Sequence, residues 1–90
     1  MAIMRKAYEG IKIHQRMGQI GSKLLISDVG CGVVFLRGAL IAGKLNVVIN
    51  LNTIKDQKFI SETKKEIDHL VEDGIKVADE VYQSVLIQIS

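Results

Sequence analysis

The sequence predicts an α+β fold, a two-layer sandwich with the element order α-β-β-α-β and a three-stranded sheet. The densest apolar stretch, residues 33–52, is typical of two strands around a turn, and a second alternating segment closes the chain. The remaining segments have apolar residues three and four apart, which favours helices covering one face of the sheet. We predict a single domain over residues 1–90, with a helix at 2–26, a hairpin at 33–52, a helix at 61–77 and a strand at 83–89.

The second half of the predicted hairpin alternates strictly between two faces. Gly43 supplies the conformational freedom that its turn needs. One face is expected to pack under the helices, and the other is expected to meet a second protomer or an ion. The first face consists of Leu45, Val47, Ile49 and Leu51, and the predicted dimer face consists of Asn46, Val48, Asn50 and Asn52.

The first predicted helix has its apolar residues at mostly helical spacing, with charges between them. Its glycines leave two alternatives open, a continuous helix to residue 26 or a break near Gly18. In the second helix, Ser61 is the expected N-cap and Gly74 marks an early end. The closing strand has Val85, Ile87 and Ile89 on one face.

Composition excludes several classes of protein. The 12 basic and 10 acidic residues are spread along the chain, which argues against a nucleic-acid partner. A single cysteine excludes an internal disulfide. The apolar fraction of 48% is high for 90 residues, so we expect some apolar surface to be covered in a homodimer.

The chain is expected to be soluble as given. Its start lacks the apolar segment of a signal peptide. No transmembrane helix is predicted, because Asp28, Arg37 and Lys44 interrupt the longest apolar zone.

No catalytic constellation is visible, and the prediction is that the chain is not an enzyme. Cys31 lies between two glycines, but the sequence places neither His14 nor His69 beside it as a base. Residues three and four apart on the second helix could share a metal ion, although an ordinary solvated helix face explains the same pattern. The candidate metal ligands are His69, Asp68, Asp73 and Glu66.

From Asp28 to Ile89 the sequence resembles the C-terminal cytoplasmic domain of cation diffusion facilitator transporters. The resemblance rests on a first strand with Val29, Val33, Leu36 and Arg37 and on the turn at Gly43. It also rests on the alternating strand, the helix opening at Ser61 and Glu62, and the closing strand.

This resemblance implies a metallochaperone-like fold, related to the ferredoxin-like fold, that dimerises and regulates a divalent-cation efflux transporter at the cytoplasmic face of a membrane. Its partners would be a second copy of the chain and the transporter's own transmembrane domain. The divalent ion that it binds would be Zn²⁺, Mn²⁺ or Fe²⁺. Where family members have histidines, this chain has Asn50 and Gln88. Three alternatives follow: the ion binds near His69, it binds weakly, or the domain serves dimerisation alone. A domain with few ligands would also fit a specialised branch of the family, such as the magnetosome members. The alternative function is a free-standing α+β adaptor module without metal.

Overall fold

The protein is an elongated bundle of three helices. The computed structural model describes the backbone of residues 1–19 and 23–90 and the side chains of residues 1–19 and 25–90. It contains α1 (Ala2–Met17), α2 (Lys23–Leu51) and α3 (Gln57–Ile89). The bundle measures 50 × 16 × 15 Å, and its long dimension is the length expected for the 33 residues of α3 at about 1.5 Å each.

The three helices run up, down and up. Met4 of α1 packs against Gly43 of α2, and His14 packs against Gly32, so these two helices are antiparallel. Helix α3 runs parallel to α1, since Arg5 pairs with Glu66 and Lys12 pairs with Asp73, about two turns further along both helices.

The predicted sandwich is wrong, because the described residues contain no strand. Residues 33–52 belong almost entirely to α2, and residues 83–89 form the last turns of α3. Helix α2 is apolar on all sides, with buried residues on one side and large exposed apolar residues on the other. Apolar residues therefore fall at alternate positions in 45–52 as they would in a strand, and a short apolar run does not distinguish the two structures.

Helix α1 ends at Met17, where the Gly18 amide donates to the His14 carbonyl at 2.9 Å. Because α2 begins at Lys23, the helix predicted at 2–26 is two helices, in agreement with the alternative of a break near Gly18. The part of that prediction on residues 20–22 lies outside the described residues.

Helix α3 begins earlier and ends later than the sequence predicted. Asp56 is its N-cap, and one carboxylate oxygen accepts a hydrogen bond of 3.1 Å from the Phe59 amide. Ser61 lies inside the helix, so its expected capping role is wrong. Gly74 is buried mid-helix, where Leu40 of α2 packs too closely to leave space for a side chain. It therefore marks a close helix contact and not a helix end.

The core lies along the axis where the three helices meet, and Thr63 is the one polar residue buried among those described. The fully buried large side chains are Met4, Ile11, Val29, Val33, Leu40 and Ile67. The radius of gyration is 15.1 Å, against about 12 Å for a compact domain of this length. Much apolar surface therefore stays outside the core. That residues 1–90 form a single domain stays a prediction.

Candidate functional site

The largest concentration of polar contacts lies where α1 meets α3, in a row that we call the α1–α3 seam. Successive seam positions on each helix are three or four residues apart, with one seven-residue step on α3, so each helix presents one face to the seam. Helix α1 contributes Arg5, Tyr8, Lys12 and Gln15, and Gln19 follows just beyond its end. Helix α3 contributes Glu66, His69, Asp73, Glu80, Ser84 and Gln88.

The middle of the seam holds a cluster of four groups, Tyr8, Lys12, His69 and Asp73, which we call the seam cluster. The Tyr8 hydroxyl donates a hydrogen bond of 2.5 Å to Asp73 Oδ2. Lys12 Nζ lies 3.4 Å from the same oxygen and 5.7 Å from the centre of the Tyr8 ring. The ring centres of Tyr8 and His69 are 6.0 Å apart. A carboxylate, an ammonium group, a phenol and an imidazole thus share one surface patch.

These contacts keep Asp73 ionised. The hydrogen bond from Tyr8 lowers the pKa of Asp73 below its ordinary value, and the positive charge of Lys12 acts in the same direction. The same hydrogen bond raises the pKa of Tyr8, because losing its proton would place two negative charges together. Since about a third of each side chain of Lys12 and Asp73 is exposed, a ligand in solution can reach both.

Below the cluster, Arg5 and Glu66 form a two-pronged ion pair. Arg5 Nε donates to one carboxylate oxygen of Glu66, and Nη2 donates to the other at 2.9 Å. This contact lowers the pKa of Glu66. Because both carboxylate oxygens are engaged, Glu66 is a positioning contact between the helices more than a free ligand.

Above the cluster, the seam opens into a groove of about 200 Å³. Its floor includes Val81 and Val85, and polar side chains surround it. The polar lining residues are Gln15, Gln19, Glu80, Ser84 and Gln88. A carboxylate and several amides thus surround an apolar floor.

The four predicted metal ligands do not come together. Glu66 binds Arg5, Asp73 binds Tyr8 and Lys12, and His69 lies against the Tyr8 ring. Asp68 is exposed. Across residues 1–19 and 23–90, no group of three or more His, Cys, Asp or Glu residues has the arrangement of a metal site. The metal assignment stays a prediction, and this geometry gives it no support.

The predicted dimer residues also lie differently from the expectation. Asn46, Val48, Asn50 and Asn52 are all exposed, but Val48 points to a different side of α2 from Asn46 and Asn50, which are four residues apart, and Asn52 follows the end of α2. They form no common face, and their part in a dimer stays a prediction.

Cys31 is exposed on α2. The nearest candidate base along the bundle is His14, whose Nδ1–H donates to the Gly10 carbonyl at 2.7 Å and whose other edge packs against Gly32. His14 is therefore engaged in packing between α1 and α2.

The sequence singled out Asp73 and His69 as candidate metal ligands, and it did not single out Tyr8 or Lys12. Their spacing of four residues on an amphipathic helix was the available signal, since it places both on one face. What the sequence did not contain was the pairing of that face with α3.

The described residues form an all-helical bundle with a mostly polar seam between two parallel helices. A family model of formiminotransferase-cyclodeaminase matches residues 1–69. The chain belongs to this family. No solved structure matches it.

Among curated proteins, the chain is similar to a methenyltetrahydrofolate cyclohydrolase of Methylorubrum extorquens. The two are 27% identical over 85 residues, which cover 94% of this chain and 41% of the relative. The chain thus spans about two fifths of the length of that relative.

These findings correct the functional predictions. The chain is not a cation diffusion facilitator domain, and neither the transporter-regulating function nor the adaptor alternative is supported. The metallochaperone-like fold is excluded by the absence of strands in the described residues. The prediction that the chain is not an enzyme is also wrong, since its family and its relative are named for enzymatic activities.

Membership in a family of folate enzymes agrees with a soluble chain, and nothing supports the expected transporter context. The sequence predicted no helix that could cross a membrane, and the structure changes this point. Residues Leu25–Leu51 form a helix that is long and apolar enough to cross a membrane by length and composition. Core helices of soluble proteins meet the same criterion, but they are mostly buried, whereas 28% of this apolar segment is buried in the bundle.

Proposed function

We propose that the chain takes part in the hydrolysis of the methenyl bridge of a tetrahydrofolate, with the α1–α3 seam as the substrate site. The observation that carries the proposal is the seam cluster, which holds an ionised, reachable carboxylate beside an ammonium group in a chain of this family. The similarity to a methenyltetrahydrofolate cyclohydrolase supports the choice of substrate.

The reaction makes clear demands on a site. The methenyl carbon joins two nitrogens and shares their positive charge, so water attacks it as an electrophile. The attacking water forms a C–O bond and loses one proton. One C–N bond then breaks as its nitrogen gains a proton and the new hydroxyl loses its remaining proton to become the carbonyl, so one proton is released overall. The product carries a formyl group on the other nitrogen. A negative group that attracts the cation and accepts the proton of water therefore promotes the step.

Asp73 fits the electrostatic part of that role, because an ionised carboxylate attracts the cation. Its ionised state is maintained by Tyr8 and Lys12, and its Oδ1 is not engaged by either of the contacts that hold Oδ2. Lys12, which lies 3.4 Å from Asp73, is the group that we assign to donate a proton to the leaving nitrogen. His69, on the preceding turn of α3, is a second group able to transfer a proton.

The groove above the cluster suits the bicyclic ring of the folate. Glu80 lies seven residues beyond Asp73, about 10 Å along the helix axis. The Glu80 carboxylate and the surrounding glutamine amides match the adjacent N–H groups and carbonyl of such a ring. A ring held there directs its bridge carbon toward the seam cluster.

A related candidate is a deamination of a formimino group, favoured by the family match. It uses the same cationic one-carbon unit between nitrogens, but ammonia leaves as the ring closes. The seam cluster serves both reactions with the same groups, and the released ammonia tells them apart.

The test follows the loss of methenyltetrahydrofolate absorbance with the full chain, against a blank without protein, and measures ammonia release from formiminotetrahydrofolate in parallel. We expect acceleration by the wild type, and a loss of at least about 100-fold in Asp73→Asn. Asp68→Asn removes an exposed carboxylate from the same helix and is expected to keep the activity. Equal rates for Asp73→Asn and the wild type, or no acceleration of either reaction by the wild type, would contradict the proposal.

A further inference from the structure

His69 is the group of the seam cluster whose polar atoms are free. Within residues 1–19 and 25–90, neither of its ring nitrogens forms a hydrogen bond, and the side chain is exposed to water. Its ring lies against that of Tyr8, with 6.0 Å between the ring centres and 50° between the ring planes. This contact positions the imidazole without using its nitrogens, so both stay available to water or to a ligand.

The other three groups of the cluster are engaged with one another. The Tyr8 hydroxyl donates to Asp73, and Lys12 Nζ lies 3.4 Å from the same carboxylate oxygen. These contacts lower the pKa of Asp73 and raise the pKa of Tyr8, so the carboxylate is a weak base and the phenol keeps its proton. A protonated lysine is an acid. None of these three groups is therefore suited to accept a proton from water.

An imidazole is the side chain best suited to that step, because it takes up a proton readily near neutral pH and passes it on to solvent. His69 precedes Asp73 by four residues, so both lie on the same face of α3 with their Cβ atoms about 5 to 6 Å apart. One water molecule can bridge the imidazole and the free Oδ1 of the carboxylate. A cationic carbon attracted by Asp73 then lies beside that water.

The second histidine of the chain is not available for this role. His14 Nδ1–H donates to the Gly10 carbonyl at 2.7 Å, and the other edge of the ring packs against Gly32 of α2. The His14 ring therefore lies on the α2 side of α1, away from the seam. One histidine serves helix packing, and the other is free for proton transfer.

We propose that His69 is the catalytic base of the hydrolysis, an inference that rests on the proposed function. A ring nitrogen of His69 removes a proton from water as the water oxygen bonds to the methenyl carbon, and the π electrons of the carbon–nitrogen bond move to nitrogen. Lys12 protonates the leaving nitrogen, which keeps the electron pair of the broken C–N bond. The Lys12 amine then takes the hydroxyl proton as the carbonyl forms. Lys12 thus returns to its starting state, and the one proton that the reaction releases passes from His69 to solvent.

Turnover of methenyltetrahydrofolate by the full chain carrying His69→Ala, with and without added imidazole, tests the assignment. We expect kcat to fall at least about 100-fold with KM nearly unchanged, because other groups hold the substrate. Imidazole at about 100 mM should raise the kcat of this variant at least about tenfold, since it can occupy the space of the lost ring. Asp68→Asn changes the exposed neighbouring residue and is expected to keep the wild-type kcat. Helical circular dichroism confirms that the variants are folded.

Asp73→Asn separates a missing base from a missing charge. Imidazole should not restore its activity, because imidazole replaces a proton acceptor and not a fixed negative charge. Three results overturn the assignment of His69 while turnover by the wild type leaves the proposed function standing: an unchanged kcat in His69→Ala, a loss that imidazole does not restore, or restoration of Asp73→Asn by imidazole. No turnover by the wild type overturns the proposed function itself, and the base with it.

Discussion

The Tyr8 hydroxyl of α1 donates a hydrogen bond of 2.5 Å to the Asp73 carboxylate of α3, and these two residues are 65 positions apart in the chain. The contact fixes the register of two parallel helices and sets the charge of the group on which the proposed chemistry depends. One pair of side chains thus links the packing of the helices to the proposed chemistry. The effect of this pair on stability and its effect on activity can be tested separately.

Replacing Tyr8 by Phe removes this hydrogen bond and keeps the ring. We expect the free energy of unfolding to fall by about 0.5 to 1 kcal/mol, a modest value because the contact is partly exposed to water. Tyr82→Phe is the control, since Tyr82 is exposed on α3, and a change within about 0.5 kcal/mol is expected there. Urea unfolding measures both, and equal effects of the two variants would contradict a role for the Tyr8–Asp73 contact.

Acid is expected to weaken the contacts of α1 with α3. The pKa values of Asp73 and Glu66 are lowered in the folded chain, so their contribution is present above the unfolded values of about 4 and is lost as pH falls through the folded values. The free energy of unfolding should therefore decrease as the pH falls from about 5 to below 4. The double variant Asp73→Asn, Glu66→Gln should show a shallower decrease. Urea unfolding across this pH range measures the slope, and an unchanged slope would argue against the two contacts.

Gly74→Ala is expected to destabilise the bundle although alanine is the better helix former. A Cβ at position 74 would lie 2.5 Å from Cδ2 of Leu40, and Leu40 is fully buried and has little space to move. The expected loss is about 1 to 3 kcal/mol. Gly38→Ala is the matched control, because a Cβ there meets no atom within 4 Å.

For Gly38→Ala, stability should rise by roughly 0.5 to 1 kcal/mol when measured at a concentration low enough to avoid association. Thermal unfolding followed by circular dichroism gives both values. A Gly74→Ala variant as stable as Gly38→Ala would refute the close packing of α3 against α2.

Asp56→Ala tests the start of α3. The carboxylate of Asp56 accepts the Phe59 amide, and its loss should cost about 1 kcal/mol. Asp56→Asn retains a capping oxygen and should cost much less. If the two substitutions had equal effects in urea unfolding, the N-cap would not be at Asp56.

Local patterns in the sequence predicted the two amphipathic regions correctly. Met4, Ala7 and Ile11 lie on the buried side of α1, and Ile67 and Leu70 lie on the buried side of α3. Periodic spacing identifies such helices because one face is apolar and the other is charged.

The same reasoning was wrong for α2, and the reason is physical. A helix that is apolar on both sides has no face that differs from the others, and Val and Ile residues with interspersed glycines are as typical of strands. Gly43 was interpreted as a turn, whereas it permits close contact with Met4. The resemblance to a transporter domain depended on these strands, and it is wrong for the same reason.

The candidate site could be predicted only in part. The acids and the histidine of α3 were visible as a cluster, but their partners come from α1, about 60 residues away. Nothing in a single sequence indicates which amphipathic faces meet. The Arg5–Glu66 and Tyr8–Asp73 contacts therefore required the structure.

The central claim, that the α1–α3 seam is the folate site, is tested most directly by locating the bound ligand. The ¹⁵N-labelled full chain is titrated with tetrahydrofolate under anaerobic conditions while its backbone amide resonances are recorded. We predict that the shifted amides lie along the seam, from Tyr8 on α1 to Gln19 just beyond its end and from His69 to Gln88 on α3, with the amides of residues 34–49 on α2 unchanged. Shifts confined to residues 34–49, or no shifts at millimolar ligand, would contradict the claim.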